Sequence, residues 1–340
     1  MSNLNYSGIA FAGTILTDII KEISAYPEKG MLVNIKTETR AVGGLVPNTA
    51  INLKKIDKSM RVLAIGKVGD DENGKFILSC LNENGIITDN IIKDANHSTS
   101  FTDVMSEEST GVRTFFYKKG ADAYLDLSEF DVNALNVKIF HIGYLSMLTS
   151  LEASDAEYGI VLSRLLSSIR DRCIKTSLDM VSNADSNLAE FAPFVLPQCD
   201  YLILNEIEAG KISMIDLSGK VSTDKFLEAS RKIMELGVRE KVVIHAPEGA
   251  SILNKDGEFT FLGSFILPKG YIKCSVGAGD SFAAGTLYGI YNDFSDKDIL
   301  NIASAAAAAS LSCSDSISGM LPLEELNLFS KKYERRDFSC

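Results

Sequence analysis

Cys274-Ser275-Val276-Gly277-Ala278-Gly279-Asp280-Ser281-Phe282-Ala283-Ala284-Gly285 is the stretch that decides how this chain is read. Two glycines around one alanine let the backbone curl without Cβ clashes, and Phe282, Thr286, Leu287 and Ile290 beyond them carry helical spacing. Successive N–H groups at such a helix N-terminus point into one small space that suits a phosphate oxygen. Asp280 falls in the first turn, where the helix dipole favours a carboxylate and where it can accept a proton from a bound hydroxyl. An anion cradle beside a base points to phosphoryl transfer. A plain turn with an acidic first residue is the alternative that the stretch alone leaves open. No Gly-x-Gly-x-x-Gly follows the first predicted strand, which argues against a dinucleotide fingerprint.

The segments before it alternate as a doubly wound α/β fold requires. Gly8 to Gly13 is a short apolar run ending in glycine, and similar runs occur at Arg61 to Ile65, Lys138 to Ile142, Thr176 to Met180, Asp200 to Leu204 and Lys241 to His245. Helical patterns separate most of them: Glu72 to Asn84 stops at Gly85, Asp155 to Arg172 carries Tyr158, Val161, Leu162, Leu165 and Ile169 on one face, and another helix ends at Gly237. Lys297 to Cys313, with alanines at 305 to 309, predicts a helix packed beside the one after Asp280. The charged tail from Lys331 to Cys340 is expected to fray.

Period-two alternation breaks this rhythm at Val33 to Ala41, Thr99 to Val104 and Val112 to Tyr117, the last following a polar turn from Ser106 to Gly111. These predict a small antiparallel sheet inserted at about 31–42 and 98–120, either a lid over a site or a surface ornament. No linker or composition shift divides residues 1–340, so one mostly parallel α/β domain carrying that β lid is expected.

Candidate site residues cluster after predicted strands, where open α/β sheets bind ligands. Asp18 follows the first strand and either caps or holds substrate hydroxyls. Gly43-Gly44 permits close backbone approach, and Asn48 either caps the next helix or turns its amide to a substrate hydroxyl. Asn205-Glu206-Ile207-Glu208 follows the strand at Asp200, where a carboxylate can organise water around Mg²⁺ or stabilise a helix start.

Composition narrows the partners. Among 340 residues, 46% are hydrophobic and 23% charged, as in soluble globular proteins. A net charge of −11, with a pI near 4.9, gives no electrostatic footprint for nucleic acid or an anionic membrane. The apolar run from Ile302 to Cys313 is too short to span a bilayer. Cys80, Cys173, Cys199, Cys274, Cys313 and Cys340 show no Cys-x-x-Cys spacing and read as reduced cytoplasmic thiols. His97, His141 and His245 are too scattered to predict zinc.

In this order the features resemble the ribokinase-like, or PfkB, carbohydrate kinase family over nearly the whole chain. Gly43-Gly44 with Asn48 is similar to its N-terminal signature, Asn205 and Glu208 to its Asn-x-x-Glu motif, and Gly277-Ala278-Gly279-Asp280 to its C-terminal signature. The resemblance implies an ATP-dependent kinase acting on a hydroxymethyl group of a small sugar. Asp280 would be its base, and Gly277, Ala278 and Gly279 its anion hole, with Asn205 also near the nucleotide. Asn205 and Glu208 would arrange Mg²⁺, while Asp18, Gly43, Gly44, Asn48 and Arg113 would face the substrate. The alternating pattern of the inserted sheet leaves one apolar face needing cover, so a homodimer through the lid is expected. A nucleoside kinase, with Phe101 or Phe115 to Tyr117 stacking on a base, and a silent sugar-binding regulator are the alternatives. Two departures stand out. The family commonly has Asp-Thr where Cys274 and Ser275 stand, which weakens the case for a K⁺ site, and His245 to Gly249 replaces a usual Thr-x-Gly turn.

Overall fold

The computed structural model describes residues 6–109, 112–181, 188–219 and 221–338. Cys340 and the end of the turn at Thr110-Gly111 lie outside the described residues. The main sheet has nine strands in the order Phe259–Gly263, Gly249–Asn254, Lys241–Ala246, Tyr201–Asn205, Lys175–Met180, Ile139–Leu145, Ile9–Gly13, Val62–Gly69 and Ile87–Asp94. Its pairs are parallel except the two at the Phe259–Gly263 edge. Strands buried on both faces must be apolar throughout, and side chains then alternate between two cores. Ile9 and Phe11 face the core formed with helices Leu45–Ile56, Glu72–Glu83, Ala278–Tyr291 and Asp296–Ser310. Ala10 and Ala12 face the other, formed with Val161–Asp171, Leu188–Val195 and Thr223–Glu235.

Helices Ala278–Tyr291 and Asp296–Ser310 pack as the small residues foretold. A Cβ on Gly285 would stand 2.7 Å from the Ala303 Cα, so the backbones meet only because that carbon is missing. The helix expected from Asp155 begins instead at Val161. Asp155 Oδ1 accepts from the amides of Glu157 and Tyr158, which offers the backbone a turn in place of a helix, and Gly159 has φ 79°. The tail is not frayed through Phe338: the Ile266 amide donates to the Glu334 carbonyl, the Arg336 amide to the Ser264 carbonyl, and Phe338 packs edge-on against Phe261.

The second sheet has four strands, Ile35–Gly43, Leu16–Ile23, Ser100–Glu107 and Arg113–Lys118. Its outer pairs are antiparallel, but Leu16–Ile23 and Ser100–Glu107 run parallel. Asp18 therefore lies within this sheet, not in a loop beyond the first strand. Two hydrogen bonds hold the crossing point, Thr14 N–H to the Gly143 carbonyl and Ile15 N–H to the buried Asp122 carboxylate. Since Ile9–Gly13 is flanked on one side by Val62–Gly69 and on the other by Ile139–Leu145, the chain reverses its winding there. That switch point, at the strands' carboxyl ends, is where a ligand crevice forms. Among the described residues no helix is long and apolar enough to cross a membrane.

Candidate active site

Gly277, with φ 76°, turns the chain into helix Ala278–Tyr291, and a Cβ there would stand 2.3 Å from the Ser316 Cβ. Neither the Gly279 nor the Asp280 amide has a backbone partner among the described residues. They are the orphan donors of a first helical turn, the kind of group an anion site at a helix N-terminus uses.

Asp280 is buried at 7% exposure, yet both carboxylate oxygens are engaged. The Tyr144 hydroxyl donates to Oδ1 at 2.5 Å and the Asn48 amide donates to Oδ2 at 2.9 Å. Burial pushes Asp280 from an ordinary 3.8 up to about 6, against the pull of Tyr144, Asn48 and the nearby Thr49 hydroxyl. Asn48 is thus no cap, because the N-cap of helix Leu45–Ile56 is Gly44 and Asn48 lies a full turn inside. Its Oδ1 is buried without a partner among the described residues, an acceptor that a bound hydroxyl can satisfy.

Gly43 and Gly44 bring backbone close to this pair. A Cβ on Gly43 would stand 2.5 Å from Asp18 Oδ2, and one on Gly44, whose φ is 85°, would stand 2.7 Å from the Thr14 carbonyl oxygen. Asp18 is raised to about 7, first by burial and then by the negative charge of Asp280. Arg113, from the four-stranded sheet, works against that shift, so that sheet and Asp280 act on one electrostatic environment. The Arg113 guanidinium also donates to the Ser314 carbonyl at 2.9 Å.

Asn205 and Glu208 close a capping box at the start of helix Glu206–Ser213. Asn205 Oδ1 accepts from the amides of Ile207 and Glu208, and its Nδ2 donates to Glu208 Oε1 at 2.7 Å. Both readings of that motif therefore hold in part, since the pair caps a helix and still fixes a carboxylate at the strand end. Sequence reasoning missed Tyr144 and Asp179. Burial, and then the charges of Glu208 and Asp280, push Asp179 well above the usual carboxylate range. Asp179 thus feels two neighbouring acids, a crowding that a divalent cation relieves. Among the described residues no group of three or more His, Cys, Asp or Glu forms a cage for one. That combination fits Mg²⁺, which keeps most of its waters and takes one or two carboxylates plus substrate phosphates.

The Cys274 thiol is buried and accepts from the Val276 amide at 3.2 Å. His245 packs against Phe282 with ring centroids 4.7 Å apart, and burial lowers it to about 4, so it is neutral beside Gly279.

A profile described as pfkB family carbohydrate kinase matches residues 9–323. The chain belongs to that family. It is an ATP-dependent carbohydrate kinase. Similar proteins include the 5-dehydro-2-deoxygluconokinase of Geobacillus kaustophilus (strain HTA426), 28% identical over 299 residues that cover 85% of each chain. That of Lacticaseibacillus casei is 27% identical over 326 residues, 93% of this chain and 94% of its own. Among solved structures, Arabidopsis thaliana ribokinase complexed with ribose and ATP superposes with a TM-score of 0.79 at 21% identity, covering 96% of this chain and 99% of its own. A Methanocaldococcus jannaschii nucleoside kinase reaches 0.71 at 19% identity, covering 96% of this chain and 99% of its own. These likenesses show a shared ribokinase fold.

The Asp280 environment has a consequence for stability. The folded protein holds the Asp280 proton up to about pH 6, whereas an unfolded chain loses it near 3.8, so unfolding releases a proton in that window and stability falls as pH rises through it. Asp280→Asn is therefore expected to unfold at higher urea concentration than the wild type at pH 8, by up to ~3 kcal/mol, with the difference vanishing near pH 4. A variant less stable than the wild type at pH 8 and equally so at pH 4 would contradict this account.

Proposed function

We propose that this kinase transfers the γ-phosphoryl group of Mg-ATP to a primary hydroxyl of a small keto-sugar acid or related sugar, with Asp280 as general base. The observation that carries it is the buried Asp280 carboxylate beside the unpartnered amides of Gly279 and its own residue. The acceptor O–H proton passes to Asp280. The freed oxygen bonds to the γ-phosphorus as the bond to the bridging oxygen breaks and ADP leaves. The Gly277–Gly279 turn offers N–H groups to the charge that gathers on the transferring group, and in-line placement does most of the rest. Asn205 and Glu208 are the residues that would hold Mg²⁺ through water, and the ion supplies charge neutralisation at the phosphates.

Asp18, Gly43, Gly44 and Asn48 line the acceptor side. The name of the curated relatives supports a sugar acid, and Arg113, beside Asp18, is a cation suited to its carboxylate. Reduced thiols at all five described cysteines support a cytoplasmic enzyme.

The test is ADP release with Mg-ATP over 5-dehydro-2-deoxygluconate, ribose, fructose and a set of nucleosides. Turnover is expected to be highest on the sugar acid and to fall about 10²- to 10⁴-fold in Asp280→Asn. Preference for nucleosides would favour the nucleoside-kinase reading, and silence on every substrate would favour a regulator.

We also propose a homodimer through the lid, because Met31, Leu32, Val112, Phe115 and Phe116 leave apolar surface exposed on that sheet and its flanking turns. Sedimentation of the wild type should give the dimer mass, and Phe115→Glu with Phe116→Lys should shift it to monomer. A wild-type monomer at micromolar concentration would end the idea.

Dependence on K⁺ is expected to be small, since the buried Cys274 thiol supplies neither the oxygen nor the negative charge of an aspartate. Replacing K⁺ with a bulky organic cation at fixed ionic strength should cost less than about tenfold in turnover, within what loss of one weak site allows. A larger loss restored by millimolar K⁺ would show that other oxygens hold the ion.

A further inference from the structure

Tyr144 is not part of any motif that the family resemblance supplied, yet it makes the shortest contact to the proposed base. It lies near the end of strand Ile139–Leu145, beside the switch point. Its backbone amide donates to Thr14 Oγ1 at 3.0 Å, and the adjacent Gly143 carbonyl accepts from the Thr14 amide at 2.8 Å. A Cβ on Gly143 would stand 2.7 Å from the Asp179 carbonyl oxygen, so the strand is seated tightly on its neighbour. The phenol is therefore aimed by the central sheet and not by a loop.

The surroundings decide what this phenol can do. Burial first, and then the charges of Asp280, Asp179 and Asp18, push its own ionisation well above the ordinary value for tyrosine. It stays neutral and keeps its proton, which makes it a donor and disqualifies it as a base. Charged or titratable groups facing Asp280 are Asp18 from the lid, with Arg113 beyond it, Asp179 from strand Lys175–Met180, and neutral His245 beside Gly279. Against two neighbouring acids and full burial, donors on Asp280 are what favour its ionised form.

Resting on the reading of Asp280 as base, we infer that Tyr144 is a positioning residue: its phenol, opposite the Asn48 amide, holds Asp280 as an oriented carboxylate facing the acceptor hydroxyl. A carboxylate has about four acceptor directions. Tyr144 and Asn48 take one on each oxygen and fix the plane of the group, leaving the remaining lone pairs for the acceptor. When the acceptor proton arrives on Asp280, the Tyr144 bond to it changes from charge-assisted to neutral, so its help is spent on the ionised form.

The experiment follows the Asp280 carboxyl by ¹³C NMR in protein labelled at aspartate, with the signal assigned by its loss in Asp280→Asn. The acid limb of kcat/KM is measured alongside. In Tyr144→Phe both midpoints are expected to move up by about one pH unit, the loss of one hydrogen bond to a buried carboxylate, and kcat to fall about tenfold at pH 6. Fluorotyrosine placed at position 144, a stronger donor, should move both midpoints the other way. This second variant decides the matter if Tyr144→Phe fails to fold. Unmoved Asp280 titration in the variants would overturn the proposal, and a lowered melting temperature with both the titration and the acid limb unchanged would mark a merely structural tyrosine. A carboxyl titration that moves while the rate profile does not would instead remove Asp280 as the base, which is a failure of the functional reading and leaves the hold of Tyr144 on the carboxylate standing.

Discussion

A buried carboxylate gripped by two donors is the constraint on which this structure turns. Asp280 sits on a helix that begins at residue 278, the Asn48 amide comes from a helix that begins at residue 45, and the Tyr144 phenol comes from a central strand. None of the three can shift alone without stranding a buried polar group, which costs roughly 1–3 kcal/mol and more where charge is involved. The sheet supplies the rigidity. Gly13 lies so close to the Gly143 carbonyl that a Cβ there would stand 1.9 Å from the oxygen, and this contact seats the tyrosine strand against the first strand.

Around that grip the site concentrates negative charge. Asp179 is raised by burial and by the charges of Glu208 and Asp280, Asp18 by burial and the charge of Asp280, and Asp280 by burial, so the folded chain favours their protonated forms more than water would. Such an arrangement is costly without ligands. On the proposed reading, a bound cation and the hydroxyls of a sugar would relieve that cost.

The four-stranded sheet, the proposed lid, is tied to the segment beside the Gly277 turn. Arg113 reaches from the lid to the Ser314 carbonyl, while Asn52 Nδ2 donates to both Ser281 Oγ and the Ser316 carbonyl, and Ser316 fills the space that a side chain on Gly277 would need. The segment from 314 to 316 therefore touches the four-stranded sheet, helix Leu45–Ile56 and the Gly277 turn. A change in any one of them is felt by the others through direct contact, not through distance.

The sequence by itself determined the fold class and the site's chemical core. Continuous apolar runs ending in glycine can only be strands covered on both faces, and a Gly-Ala-Gly-Asp turn before an alanine-rich helix places N–H groups and a carboxylate together by local geometry alone. Ile87–Asp94, Gly249–Asn254 and Phe259–Gly263 were not legible, because strands toward a sheet's edges carry mixed polar and apolar residues with no strict pattern. Leu16–Ile23 was missed for the same reason, its half-buried faces lacking alternation, and with it the true place of Asp18. Only the tertiary structure decided that Asn48 serves Asp280 and not its helix, that Asp179 crowds Glu208, and that the Tyr144 phenol meets Asp280. Those pairings join residues up to 232 positions apart, and no local period records which side chain will meet which across a folded sheet.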